Sequence, residues 1–323
     1  MNLVKVKYFE GIVLPQRTLI FLTLVVLTLL GGCETEDCVN CIELPPPVVP
    51  TGVHSISGDN LVIVQWYDIS YHPYDGQYNA NIDSYFIYSR YYEDGDEYDS
   101  NREFYLIGEV ALNGNFDPVS GLHWFEDTEA VNGERYEYAV AAVNSAGSES
   151  ALSYEFVTDA PLFHSLAPLE LYDAAGNHPE WSVFDFSLMD DGHNVSFPGF
   201  NADIQIRYQG GVPYVHAMRS AVRIQDFGVF MNDADEVVFE GVSWAPTEGY
   251  SNTGVLEIIE GHIYVLKISD YPNGTHYAKF GVTDIGIGFV EIIWAYQIID
   301  GLQELSVPGG DVLPNGSPEI ISL

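Results

Sequence analysis

The chain has 323 residues, with 11 Lys and Arg against 47 Asp and Glu and a formal net charge of −36. Phosphate binding works through clustered cations that release counterions, so this balance excludes nucleic acid as a partner. It favours cations and basic partners, and it also provides solubility through self-repulsion in salty surroundings.

The leader comes first. Lys5, Lys7 and Arg17 precede an apolar run from Leu19 to Leu30 that only Thr23 and Thr28 interrupt. At about 1.5 Å per residue that run falls short of a roughly 30 Å hydrocarbon core, so it reads as the apolar region of a signal peptide. Leu30-Gly31-Gly32-Cys33 follows. It resembles the lipobox of bacterial lipoproteins, in which small residues admit the peptidase and the thiol takes the diacylglyceryl group. The resemblance implies a signal peptide over 1–32 and lipidation of Cys33, with the membrane as partner through that anchor. Two or three acyl chains, at about 0.8 kcal/mol per buried methylene, make such an anchor stable. By the same resemblance to lipoproteins of Gram-negative bacteria, in which Asp after the acylated Cys favours retention in the inner membrane, Glu34 implies the outer membrane, outside the cytoplasm.

Residues 33–47 form a tether. Cys38 and Cys41 make one C-x-x-C pair, which cannot fill a tetrahedral zinc site alone and is either a small disulfide loop or two free thiols. Leu44-Pro45-Pro46-Pro47 favours extended polyproline geometry, a spacer between lipid and body. The remaining ~270 residues exceed one small β domain, so two are expected, over 48–160 and 161–323.

Over 48–160, short β-type runs alternate with polar turns: Leu61 to Trp66, Tyr85 to Tyr88, Phe104 to Val110, and Tyr136 to Asn144 with Tyr136, Tyr138, Val140 and Ala142 on one face. These residues resemble a fibronectin type III domain. Pro50-Thr51-Gly52-Val53 is similar to its entry strand, Trp66 to its core tryptophan and Tyr85 to Arg90 to its third strand. Phe125 to Thr128, Gly133 to Asn144, Gly147 and Ser150 are similar to its last two strands and their turn. The resemblance implies a sandwich in which Tyr136 occupies the tyrosine corner, its hydroxyl tied to the main chain. Two polar loops, 72–80 and 91–103, are longer than the module needs. They carry Tyr74 and Tyr78, and Tyr91, Tyr92 and Tyr98, the candidate ligand contacts, because exposed rings stack on sugar faces or anchor proteins.

Beyond Ala160 the repeat does not continue. Strands are expected over Ser182 to Phe186, Ala202 to Tyr208, Val237 to Phe239, Val255 to Ile259, His262 to Ser269, His276 to Val282 and Phe289 to Gln297, and a short helical turn over Met218 to Ile224. Asn273-Gly274 is a strong hairpin signal, which sets His276 opposite Tyr271 and His262 near Ile285. The imidazoles are then about nine rows apart, too far for one metal or haem iron. Gly261 to Lys267, His276 to Phe280 and Ile292 to Gln297 are similar to a C-terminal β module of bacterial secreted proteins, with a partial likeness to haem-carrying surface lipoproteins of the HmuY type. That likeness implies haem or metal capture as an alternative function.

Asp190-Asp191-Gly192-His193 gathers cation ligands but fits a strand-reversing turn better, and Asp94-Gly95-Asp96-Glu97-Tyr98-Asp99 departs from the EF-hand loop, with Tyr98 and Asp99 at the fifth-position ligand and sixth-position Gly, so no metal or cofactor is assigned. No G-x-S-x-G, H-E-x-x-H or phosphate loop occurs, and no catalytic residue is assigned. The reading is an all-β chain, a fibronectin type III sandwich followed by a second antiparallel β domain. Its expected role is a membrane-anchored extracytoplasmic binding or adhesion lipoprotein contacting protein or glycan. A further alternative is an accessory subunit of a polysaccharide-utilisation system.

Overall fold

The structure is a computed structural model and describes residues 44–70, 81–92, 103–155, 157–165, 167–188, 201–270 and 274–307. Cys33, the expected lipidation site, and most of the expected tether lie outside them. Two tether carbonyls that are described rest on the first sandwich: Asn144 donates through Nδ2 to Pro45 O (3.0 Å), and Ser148 Oγ donates to Leu44 O (3.4 Å).

The first domain contains β1 (His54–Gly58), β2 (Leu61–Tyr67), β3 (Ile82–Tyr91), β4 (Tyr105–Ala111), β5 (Phe116–Asp117), β6 (Leu122–Asp127), β7 (Tyr136–Asn144) and β8 (Val157–Asp159). One sheet has the order β1-β2-β6-β5, the other β4-β3-β7-β8, all antiparallel. This is the two-sheet strand order of a fibronectin type III sandwich. Alternating residues face inward from both sheets, and Val62, Val64, Trp66, Tyr85, Ile87, Tyr138, Val140 and Ala142 form the core.

The tyrosine corner is present: the Val131 amide donates to Tyr136 Oη at 3.0 Å. Tyr138 Oη, two residues on, reaches across the sandwich to Asp127 Oδ2 at 2.8 Å. Two expectations are corrected. Residues 50–53 are not a strand; Gly52 takes φ +68°, where a Cβ would lie 2.3 Å from the Tyr67 ring, so the chain bends there and pairing starts at His54. Phe125 to Asp127 and Tyr136 to Asn144 are not the last two strands. They lie in opposite sheets, because the corner carries the chain across the sandwich, and the last strand is β8.

The second domain contains β9 (Phe163–His164), β10 (Leu169–Tyr172), β11 (Val183–Phe184), β12 (Ile204–Gln209), β13 (Val212–Ala217), β14 (Val222–Val229), β15 (Val255–Glu257), β16 (His262–Asp270), β17 (Gly274–Gly286) and β18 (Phe289–Gln297). A large sheet runs β10-β18-β17-β16-β14 with β9 also on β18, and a small one runs β11-β12-β13-β15. Phe184, Ile204, Ile206 and Val215 of the small sheet meet Ile224, Leu266, Phe280, Ile292 and Trp294 of the large one.

Three expected elements differ. Met218 to Ile224 is a turn followed by the start of β14, whose Val222 and Ile224 point inward with strand periodicity. Around Val237 to Phe239 there is one isolated bridge from Val237 to Met231, and then a 3-10 turn over Phe239–Gly241. Ser182 to Phe186 yields only the two-residue β11 before a 3-10 turn, Phe186–Leu188.

The opposite face of the large sheet is covered as well. Phe239, Val242, Ala245, Leu305 and Val307 pack on Ile263, Val265, Tyr277 and Ala295. Lys279 of β17 is fully buried on this face, donating from Nζ to Phe239 O (2.6 Å) and Val242 O (2.8 Å) with the Phe239 ring 4.1 Å away. Burial pushes its pKa well down, and the Glu240 charge opposes that.

The two sandwiches touch through polar groups. Leu162 N donates to Gly58 O (3.2 Å), Gly133 N to Pro161 O (3.3 Å), and Gln297 Nε2 to Ala160 O (3.4 Å). Asp159 is buried here and accepts from Ser57 Oγ at 2.6 Å. Burial and the charge on Asp159 push Glu304 up to about 8, while Arg135 pulls it down.

Two predictions follow from this packing. Tyr136→Phe removes the corner bond and is expected to cost about 1 kcal/mol, read by urea denaturation. A carboxyl whose folded pKa lies above its unfolded value of 4.5 binds more protons when folded. Its contribution is complete below pH ~4.5 and is lost as pH rises through about 8. The thermal midpoint should therefore fall between pH 5 and 8, and Glu304→Gln should flatten that slope.

Candidate functional site

Of the five candidate tyrosines, Tyr91 and Tyr92 are described; Tyr74, Tyr78 and Tyr98 lie outside the described residues, as do Asp94 to Asp99 and Asp190 to His193. Tyr85, Ile87 and Ser89 of β3 are buried, and Tyr91 has the same parity but runs past the end of the core. It is 63% exposed, its ring 5.1 Å from that of Tyr136. Tyr92 donates its amide to Arg135 O (2.8 Å), and the Arg135 guanidinium lies 4.3 Å over the Tyr92 ring.

Beside them, β4 is an edge strand. Tyr105 pairs with Ser89, which makes it a diagonal neighbour of Tyr91. Tyr105, Leu106 and Ile107 are all exposed, next to a register shift between Ile87 and Tyr88. Tyr91 thus adjoins an apolar edge formed by β4, whereas Tyr92 is held on the β7 side by Arg135.

A second aromatic surface lies on the C-terminal domain and was missed. β10 ends at Tyr172, the chain turns over Asp173 to Gly176, and Pro179 starts the 3-10 turn Pro179–Trp181. Proline suits that start, since its missing N–H has no partner to lose. The turn brings Trp181 back over the end of the strand. Its ring stacks on His178 at 5.5 Å and lies 5.7 Å from Tyr172, which is 6.0 Å from Phe289. Trp181 remains 47% exposed.

Carboxylates flank the rings. Tyr172 Oη donates to Glu170, which raises the phenol's pKa, and His178 Nδ1 is 3.5 Å from Glu180. A fixed, half-exposed indole with carboxylates beside it can stack on a sugar ring and accept from its hydroxyls. The available sequence signals were the proline start and the Trp two residues later; neither has the alternation that locates strands.

The histidine geometry is corrected in its register. His276 pairs with Ile268, not Tyr271, because Gly274 begins β17 and is not the second turn residue. A Cβ on Gly274 would lie 2.3 Å from the Asp300 carboxyl, whose Oδ1 accepts from Thr275 N at 2.7 Å. His262 is six residues from Ile268 along β16, so the imidazoles are roughly 20 Å apart. His262 Nδ1 is held by Asp226, at 2.9 and 3.1 Å from its two oxygens.

No protein-family model matches the chain. An amylopullulanase from Thermoanaerobacterium saccharolyticum is 33% identical over 115 residues, 36% of this chain and 7% of that protein. The chain therefore spans only about 7% of the length of the curated relative it matches. Among solved structures, a human fourth fibronectin type III domain is 15% identical, with 39% of this chain and 91% of that one covered and a TM-score of 0.26. The FN5 domain of Drosophila Lar is 19% identical, with 36% and 97% covered and a TM-score of 0.22. A DUF4466 family protein from Parabacteroides merdae is 10% identical, with 79% and 96% covered and a TM-score of 0.32. The assignment of the first sandwich rests on its own strand order and tyrosine corner.

Proposed function

We propose that this chain is a membrane-anchored extracytoplasmic lipoprotein, lipidated on Cys33, that binds protein or glycan without catalysing a reaction. The order of basic residues, apolar run, Gly31-Gly32 and Cys33 supports the anchor, and the outer membrane is the favoured location. The observation that carries the binding role is the presence of aromatic rings held at the surface by strand ends, with Trp181 packed edge and face against Tyr172 and His178. A ring fixed before contact loses little conformational freedom on binding, so its stacking energy appears as affinity. Tyr91 and Tyr105 offer a second such surface on the first domain.

The match to part of an amylopullulanase favours a second reading, work beside a polysaccharide-degrading system. Under that reading the glycan is the ligand and the first sandwich is the spacer.

Labelled palmitate should enter the wild-type chain and not Cys33→Ser, and the mature mass should begin at acylated Cys33. A product that retains Met1 and carries no lipid would sink the anchor. On a glycan array and against candidate surface proteins, Trp181→Ala or Tyr91→Ala should weaken binding about tenfold with an unchanged melting curve. If both variants bind as well as wild type, these rings are not the contact.

A further inference from the structure

Few cations occur in this chain, and three of its 11 Lys and Arg, namely Arg219, Arg223 and Lys267, line one cleft. Arg219 is committed to Asp203. Arg223 on β14 and Lys267 on β16 are directly opposed in register, yet neither has an ion-pair partner among the described residues. Opposed side chains on one face lie about 5 Å apart, where like charges destabilise a sheet. Folding has nevertheless placed them together, at the rim of a cleft of about 730 Å³.

The walls are polar. Ser220, Thr247, Tyr250, Asn252 and Ser269 contribute hydroxyl and amide groups, with Glu248 as the one carboxylate. Tyr250 is fixed by donation from Oη to Pro246 O (2.9 Å), and its loop is tied to the sheet where Ser251 N donates to Ile224 O (2.8 Å). Through Ser220, Arg223 and Asn252 the cleft continues into a second lobe of about 360 Å³ that Ser251 and Thr253 help to line. A two-lobed cleft rich in hydroxyl groups, with two opposed cations in its lining, lacks the apolar pocket that a protein side chain would fill.

We propose that this cleft binds an anionic saccharide, with an acidic group of one sugar held between Arg223 and Lys267 and its hydroxyls bonded along the cleft. The inference rests on the binding role proposed above and names a ligand class for it. Arg suits bidentate recognition of a planar carboxylate, and Lys adds a point charge. The overall charge of −36 repels acidic folded proteins across their whole surface. A thin oligosaccharide meets mainly the local field, since repulsion from farther than ~8 Å is screened at physiological salt.

The test is calorimetric titration of the purified chain with trigalacturonate, its fully methyl-esterified form, a sulfated disaccharide and hexaglutamate. Saturable binding of trigalacturonate or the sulfated sugar is expected, and whichever is tighter identifies the acid. The ester should bind at least about tenfold more weakly than trigalacturonate. Arg223→Gln and Lys267→Gln should each cost about tenfold, and the double variant should lose binding while melting no lower than wild type, because a repulsion is relieved. Equal binding of the ester, tighter binding of hexaglutamate, unimpaired binding by the double variant, or no binding of either acid sugar would overturn the proposal. If the double variant still binds a neutral glycan or a protein on the arrays, only this inference falls; if wild type binds nothing there either, the broader reading falls with it.

Discussion

The large sheet of the C-terminal domain is buried on both faces, and most of the molecule's arrangement follows from that. An antiparallel sheet commonly leaves one face to water. Here the small sheet covers one face, and segments around 239–245 and 305–307 cover the other. Side chains buried in the middle of β16, β17 and β18 are therefore apolar on both faces or held by hydrogen bonds. Lys279 meets the second condition, with two carbonyls as acceptors and a ring beneath it. Its partners come from the covering segment, so the ammonium fixes that segment in place as well as being sheltered by it.

The same constraint decides where polar chemistry can appear. One row of the covered face runs Arg223, Lys267, Tyr277, Gln297 across β14, β16, β17 and β18. Burial deepens along it, from exposed Arg223 through half-buried Lys267 to buried Tyr277 and Gln297. At the β14 end the row reaches solvent, and charge is tolerated there. The aromatic surface around Trp181 obeys the same logic, since it forms where β10 runs out and the chain doubles back over the strand end.

Much of the first domain was legible because its signals are local. Trp66 sits in a continuous strand pattern, and Tyr136 and Tyr138 keep one parity in a run that the structure reproduces residue for residue. The C-terminal domain was harder to read. Strand β13 contains Pro213, and β14 has a register shift at Gly228, so neither shows clean alternation and both were passed over. The Asn273-Gly274 signal gave the right hairpin with the wrong register, because Gly274 is required for the approach of Asp300, a contact about 25 residues away. Alternation could not place Lys279 either, as it assumes that one face is wet. The cleft is the extreme case. Its residues come from 217–223, 247–254 and 267–269, and only the β14 to β16 register sets Arg223 against Lys267.

That row also has a far end. Gln297 donates to Ala160 O, the residue that follows Asp159 at the contact with the first sandwich. The opposed cations and the inter-domain contact thus belong to one file of four side chains across hydrogen-bonded strands. A sheet packed on both faces resists sliding of one strand past another, because a slip of one residue would carry every side chain to the opposite face. One of the hydrogen bonds at the contact between the sandwiches is thereby made from a strand that this packing holds in register.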